Sequence, residues 1–205
     1  PARGFRQPRP RRENGSPKTI RRFCHLNPSE AELLQTVQRP IVLLKKKNVN
    51  LIAPEVALLQ KNYGVMLPYS PLHHLLLKDS NLILVMTSGN QSDEPIAYED
   101  KEAFERLNKI TDYFLFHNRE IHRRCDDSVT RIFNGKEMVF RRGRGYVPLP
   151  INVELKFKEH ILATGAQLKN TFCLARDGFG FKSATTPAPP PVRRQPAADP
   201  YFADK

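Results

Sequence analysis

Proline density at both ends of this 205-residue sequence confines a fold to its middle. Residues 1–22 hold four prolines and residues 182–205 hold six. Proline fixes φ and removes a backbone donor, so that spacing excludes helix interiors and central strands. The first segment also sets seven Arg and Lys18 against Glu13 alone, a charge of +7, which leaves +5 of the total +12 for the remainder. Segments this charged and this poor in apolar residues cannot bury enough surface to offset chain entropy. Residues 1–22 and 182–205 are therefore expected to be disordered. Much of the basicity belongs to a tail, which argues against reading the whole chain as a nucleic-acid groove.

The middle, about Phe23 to Phe181, carries the periodicity. Pro28–Gln38 fits a short helix, with Ser29 able to cap and with Ala31, Leu33, Leu34 and Val37 along one face. Pro40 stops it, and Ile41–Leu44 fits a buried strand. Val65–Leu67 fits another strand, Leu72–Leu77 a buried helix, and Leu82–Met86 a central strand. Asp100 is placed to cap a helix running to about Lys109. Tyr113–Phe116, Ser128–Phe133 and Met138–Arg141 fit strands, and Asn134-Gly135 is a strong hairpin signal. Ile161–Thr164 and Thr171–Arg176 are two further strands, and Asp177-Gly178 would turn into a third. Isolated strands mixed with short helices define an α/β fold with a mixed, twisted sheet.

No run approaches the roughly 18 apolar residues of a membrane helix, so no membrane partner is expected. The three cysteines, Cys24, Cys125 and Cys173, form no C-x-x-C pair, which leaves no local zinc site or disulfide framework. Scattered thiols fit a reducing cytoplasm.

Chemistry concentrates in three places. Thr87-Ser88-Gly89-Asn90 follows the apolar run Leu82–Met86 and offers two hydroxyls, an amide and a flexible glycine at a strand end, where α/β folds hold phosphates and carboxylates. Arg119, Arg123, Arg124, Arg131, Lys136, Arg141, Arg142 and Arg144 form a dense basic stretch. It is either a clamp for phosphate oxygens, which guanidinium forks match, or a solvated basic face. Asp126 and Asp127 would point to opposite faces of a strand; one could ligate Mg²⁺, or either could cap a turn. His73 and His74 are adjacent, whereas helical metal pairs sit at i and i+4, so one buried and one pocket-lining histidine is the better fit.

These segments resemble a known family. Gly64–Leu77, Met86–Ile96, His117–Val129 and Arg141–Pro150, in this order and spacing, resemble the HypF carbamoyltransferases, maturation factors that make the cyanide ligands of NiFe hydrogenase. The likeness is to their YrdC-like, carbamoyl-adenylate-forming domain, here residues 23–152 and incomplete at its N-terminus. Residues 153–181, with Ile161–Thr171, are similar to the opening strands of the family's actin-like, ATP-binding transferase domain. The resemblance implies nucleotide or carbamoyl-adenylate binding by Thr87, Ser88, Asn90, Ser128, Arg141 and Arg142, and by Lys169 and Thr171 in the second unit. His73, His74, Asp126 and Asp127 would line the pocket.

It further implies ATP, Mg²⁺ and carbamoyl phosphate as co-reactants, a HypE-like protein as acceptor, and an affinity for RNA. Zinc would belong only to family regions that this sequence lacks. The alternatives are a double-stranded RNA- or nucleotide-binding module without catalysis, and an inactive truncated product.

Overall fold

A computed structural model describes residues 15–92, 94–122, 124–153, 157–165, 172–176 and 179–182. They form two compact units. One takes the chain through Met86 and then Asp127–Tyr146; the other takes Thr87–Asp126 and the residues from Val147 onward.

The first unit begins earlier than proline content suggests. Ser16 caps α1 (Pro17–Ile20) by accepting from the Thr19 amide at 3.4 Å, and Pro17 occupies the first helical position, where its missing N–H costs nothing. Ile20, Phe23 and Cys24 then enter the core. The expectation of a disordered stretch through residue 22 fails over these residues, because one buried isoleucine and a capped turn anchor them. Residues 1–14, like the C-terminal segment from 183, lie outside the described residues.

α2 (Pro28–Gln35) is capped by Asn27 rather than Ser29. The Asn27 side chain accepts from the Glu30 amide at 2.8 Å, and Glu30 accepts from the Asn27 amide at 2.9 Å, a reciprocal capping box. Ala31, Leu33 and Leu34 are buried as the spacing predicts. Val37 lies beyond the helix end and is 96% exposed.

α2 packs on a four-stranded mixed sheet of order β2-β1-β3-β4, where β1 is Ile41–Lys45, β2 Asn62–Val65, β3 Val129–Phe133 and β4 Lys136–Arg141. β1 pairs antiparallel with β2 and parallel with β3. β3 and β4 form the expected hairpin, and both Asn134 and Gly135 adopt positive φ. Val42, Leu44 and Thr130 point to the buried α2 side. The alternation sends Ile41, Leu43, Lys45, Val129, Arg131, Phe133, Lys136 and Met138 to the opposite face, and a register shift between Val129 and Thr130 brings Arg141, paired with Val129, there as well.

α3 (Pro71–Ser80) is capped by Ser70 and ends at the left-handed Asn81. None of its residues is fully buried, contrary to the reading of Leu72–Leu77 as a core helix. Leu82–Met86 forms no strand among the described residues. It lines a cavity of about 250 Å³ together with Tyr63, Val65, His73 and Leu77.

In the second unit α4 (Asp100–Leu107) carries Phe104, whose ring lies 5.3 Å from Phe114; Phe114 stacks on Phe116 at 5.6 Å. Tyr113–Phe116, expected as a strand, has no strand partner among the described residues. β5 (Ile151–Asn152), β6 (Ile161–Thr164), β7 (Phe172–Arg176) and β8 (Phe179–Lys182) make an antiparallel sheet of order β5-β8-β7-β6. No helix of the described residues is long and apolar enough to cross a membrane.

Candidate functional site

The phosphate-type motif at the start of the second unit is a tight turn. The Ser88 hydroxyl donates to Asn90 Oδ1, Asn90 Nδ2 donates to the Gln91 carbonyl at 2.8 Å, and the Ala97 amide donates to the Gly89 carbonyl at 2.9 Å. Thr87 and Ser88 are exposed and Asn90 half-buried, so a hydroxyl and an amide are presented side by side.

The first unit holds Ser128, Arg141 and Arg142. Ser128 is fully buried: its hydroxyl donates to the Arg144 carbonyl at 2.9 Å and accepts from the Gly143 amide at 2.8 Å. It ties the start of β3 to the Arg-Gly-Arg-Gly loop. Arg141 ends β4 opposite Val129, exposed, on the face turned away from α2. It makes no ion pair among the described residues, and Arg131 and Lys136 share its face. Arg142 is half-buried and engaged within the chain.

Arg144 was not singled out by sequence beyond its charge. Its Nε donates to Asp127 Oδ1 at 2.6 Å, Nη1 to the Gln38 carbonyl at 3.0 Å and Nη2 to the Arg39 carbonyl at 2.8 Å. The guanidinium lies 3.4 Å above the Tyr69 ring, and Tyr69 meets His73 edge to face at 4.5 Å. The glycines on either side were the one available signal that this arginine sits in a tightly built loop.

His73 lines the cavity, and its pKa is lowered, first by burial and then by Arg144 and His74, with Asp127 opposing. His74 is exposed. Asp126 is half-buried beside exposed Cys125, whereas Asp127 is committed to Arg144. Lys169 and Thr171 lie outside the described residues. No cluster of three or more potential metal ligands occurs among the described residues.

The mixed sheet with its basic strand end agrees with the comparisons. The Sua5_yciO_yrdC family model, described as telomere recombination, matches residues 14–143, and the chain belongs to this family. The relatives it matches along most of its length are HypF carbamoyltransferases. It is 42% identical over 161 residues to carbamoyltransferase HypF of Synechocystis sp., covering 78% of this chain and 21% of that protein. It is 39% identical over 159 residues to the probable carbamoyltransferase HypF of Methanocaldococcus jannaschii, covering 77% of this chain and 21% of that protein.

Two crystal structures resemble it in fold. One is full-length HypF in a phosphate- and nucleotide-bound form, with a TM-score of 0.75, 43% identity, and coverage of 84% of this chain and 23% of that one. The other is T. kodakarensis HypF, with a TM-score of 0.75, 39% identity, and coverage of 83% and 22%. The chain corresponds to a segment of HypF and spans about a fifth of the length of these relatives.

Proposed function

We propose that this chain contributes part of a carbamoyl-adenylate-forming site. Hydrolysis of carbamoyl phosphate would supply carbamate and release phosphate, and the carbamate oxygen would attack the α-phosphorus of ATP while pyrophosphate leaves. The carbamoyl group would then pass to a cysteine thiol of a HypE-like acceptor, the C–S bond forming as the C–O bond to AMP breaks and AMP leaves. Catalysis of the first step is electrostatic positioning: fixed cations and donors neutralise the phosphates. Arg141 carries this reading, because it is exposed, makes no ion pair among the described residues, and ends β4 next to the loop that Ser128 holds.

Support from relatives is their naming as carbamoyltransferases and the nucleotide-bound form of one of them. The acceptor step would need an actin-like domain, to which β6–β8 would contribute only opening strands. This chain alone is therefore expected to bind ATP weakly and to complete no transfer.

Calorimetric titration with ATP–Mg²⁺ tests the binding half. Loss of one charge-assisted contact costs about 1.5–3 kcal/mol, so Arg141→Ala should weaken affinity roughly 10- to 150-fold. An unchanged affinity would remove Arg141 from the site. Carbamoyl-phosphate-stimulated ATP–pyrophosphate exchange followed by thiol transfer tests the other half, and robust turnover by these residues alone would overturn the need for a further domain.

A second reading has one specific observation behind it: Arg131, Lys136 and Arg141 alternate with Phe133 and Met138 on one sheet face, a pattern suited to RNA. Binding that falls steeply and linearly in log salt, with no preference for ATP, would favour it.

A further inference from the structure

We propose that Arg144 is a positioning residue, which fixes the Gly143–Gly145 loop and the start of β3 so that Arg141 is correctly aimed, without itself touching a phosphate. The proposal rests on the reading of Arg141 as a phosphate contact. A guanidinium offers a planar fork of donors and two faces. In Arg144 the Nε, Nη1 and Nη2 edges are each taken, by Asp127, Gln38 and Arg39, and one face is taken by Tyr69. The carboxylate of Asp127 compensates its charge at contact distance. Little of this side chain is left for an anion.

What the fork joins explains its use. Gln38 and Arg39 form the turn between α2 and β1, Asp127 immediately precedes the buried Ser128, and Tyr69 leads into α3. Ser128 in turn receives the Gly143 amide and donates to the Arg144 carbonyl, while its own carbonyl accepts from the Ile41 amide at 2.8 Å. One side chain therefore links three chain segments around the residue that pairs with Arg141, namely Val129. Asp127 is the anchor of this fork, and Tyr69 is the surface that sets its plane.

A phosphate contact and a fork respond differently to lysine, which keeps the charge but has neither the planar donors nor the flat face. The test is ATP–Mg²⁺ titration together with amide hydrogen exchange at Gly143 and Ile41 in Arg144→Lys and Arg141→Lys. Arg144→Lys should speed exchange at both amides and weaken ATP affinity tenfold or more, whereas Arg141→Lys should leave both amides protected. Arg144→Lys that loses ATP affinity but keeps Gly143 protected would make Arg144 a direct phosphate contact and overturn the proposal, as would full retention of both properties.

Should Arg144→Lys fail to fold, Tyr69→Leu removes the stacking surface and leaves the fork's partners. It should accelerate Gly143 exchange, and unchanged exchange there would overturn the proposal. If the wild-type chain binds no ATP, the adenylation reading fails, while the exchange measurements still decide whether Arg144 holds the loop.

Discussion

Gly145 has φ +85°, and a Cβ added there would lie 2.6 Å from the Gln38 carbonyl oxygen and 2.8 Å from the Gln38 Cα. Both contacts are backbone, so nothing can swing aside. Gly135 has a comparable φ of +74° in the β3–β4 turn, but a Cβ there meets nothing within 4 Å. The two glycines separate conformational cost from steric cost. Gly135→Ala should lose about 1 kcal/mol, the left-handed penalty alone. Gly145→Ala should lose distinctly more and should also disturb the Arg144 fork, because the same Gln38 carbonyl accepts from it. Urea unfolding of the two variants checks this; equal losses would mean that the Gly145 contact relaxes freely.

The cysteines divide in the same physical terms. Burial, with Glu30 adding to it and Lys47 and Lys46 opposing, pushes the Cys24 thiol up to about 11, and Cys125 is exposed. Iodoacetamide at pH 8 should alkylate Cys125 first and Cys24 last, by orders of magnitude, since the thiolate is the nucleophile. The sign for stability follows: a folded state that keeps the proton longer than the unfolded chain is weakened as pH rises above about 9. Mass spectrometry of the labelled peptides decides, and early labelling of Cys24 would show that its burial is only transient.

Among the elements, α2 illustrates how local chemistry is legible and where it misleads. Its apolar spacing placed Ala31, Leu33 and Leu34 correctly, but the cap lies two residues earlier than Ser29, where Asn27 can exchange bonds with Glu30. Asn27→Ala should cost about 1 kcal/mol, within a range of roughly 0.5–2, and Ser29→Ala should cost little. A larger loss at Ser29 in thermal unfolding would reverse the assignment. β1, β3, β4 and the Asn134-Gly135 turn were likewise legible, because their patterns are local.

Leu82–Met86 and Tyr113–Phe116 were not, because an apolar run becomes a strand only when another strand bonds to it, and no partner occurs among the described residues. The site shows the same limit. Arg141 could be placed at a strand end from its motif, yet the acceptors of Arg144 lie more than a hundred residues away in sequence, at Gln38 and Arg39. Nothing local marks a backbone carbonyl as a ligand of a distant arginine.

At the scale of the whole molecule, apolar burial is uneven. Of the buried apolar side chains among the described residues, Leu107 is the one that belongs to the second unit; Ile20, Phe23, Cys24, Ala31, Leu33, Leu34, Val42, Leu44 and Leu67 all belong to the first. The second unit instead exposes Tyr113, Leu115, Ile161 and Leu162, and the first leaves Leu82, Val85 and Met86 open beside its cavity. Apolar surface on this scale ordinarily marks a place where further protein packs, which accords with relatives about five times as long.

The consequence is measurable. The native chain should bind the dye ANS without denaturant, with a several-fold rise in fluorescence, because the dye reports apolar surface that water can reach. Val85→Lys should reduce the signal by placing a charge at the cavity edge without touching the buried cluster of Val42, Leu34 and Leu44. Sedimentation in the same buffer must show a monomer for the result to count, since self-association would hide the same surface. A monomer that leaves ANS dark would contradict the open cavity and place Leu82–Met86 inside a core.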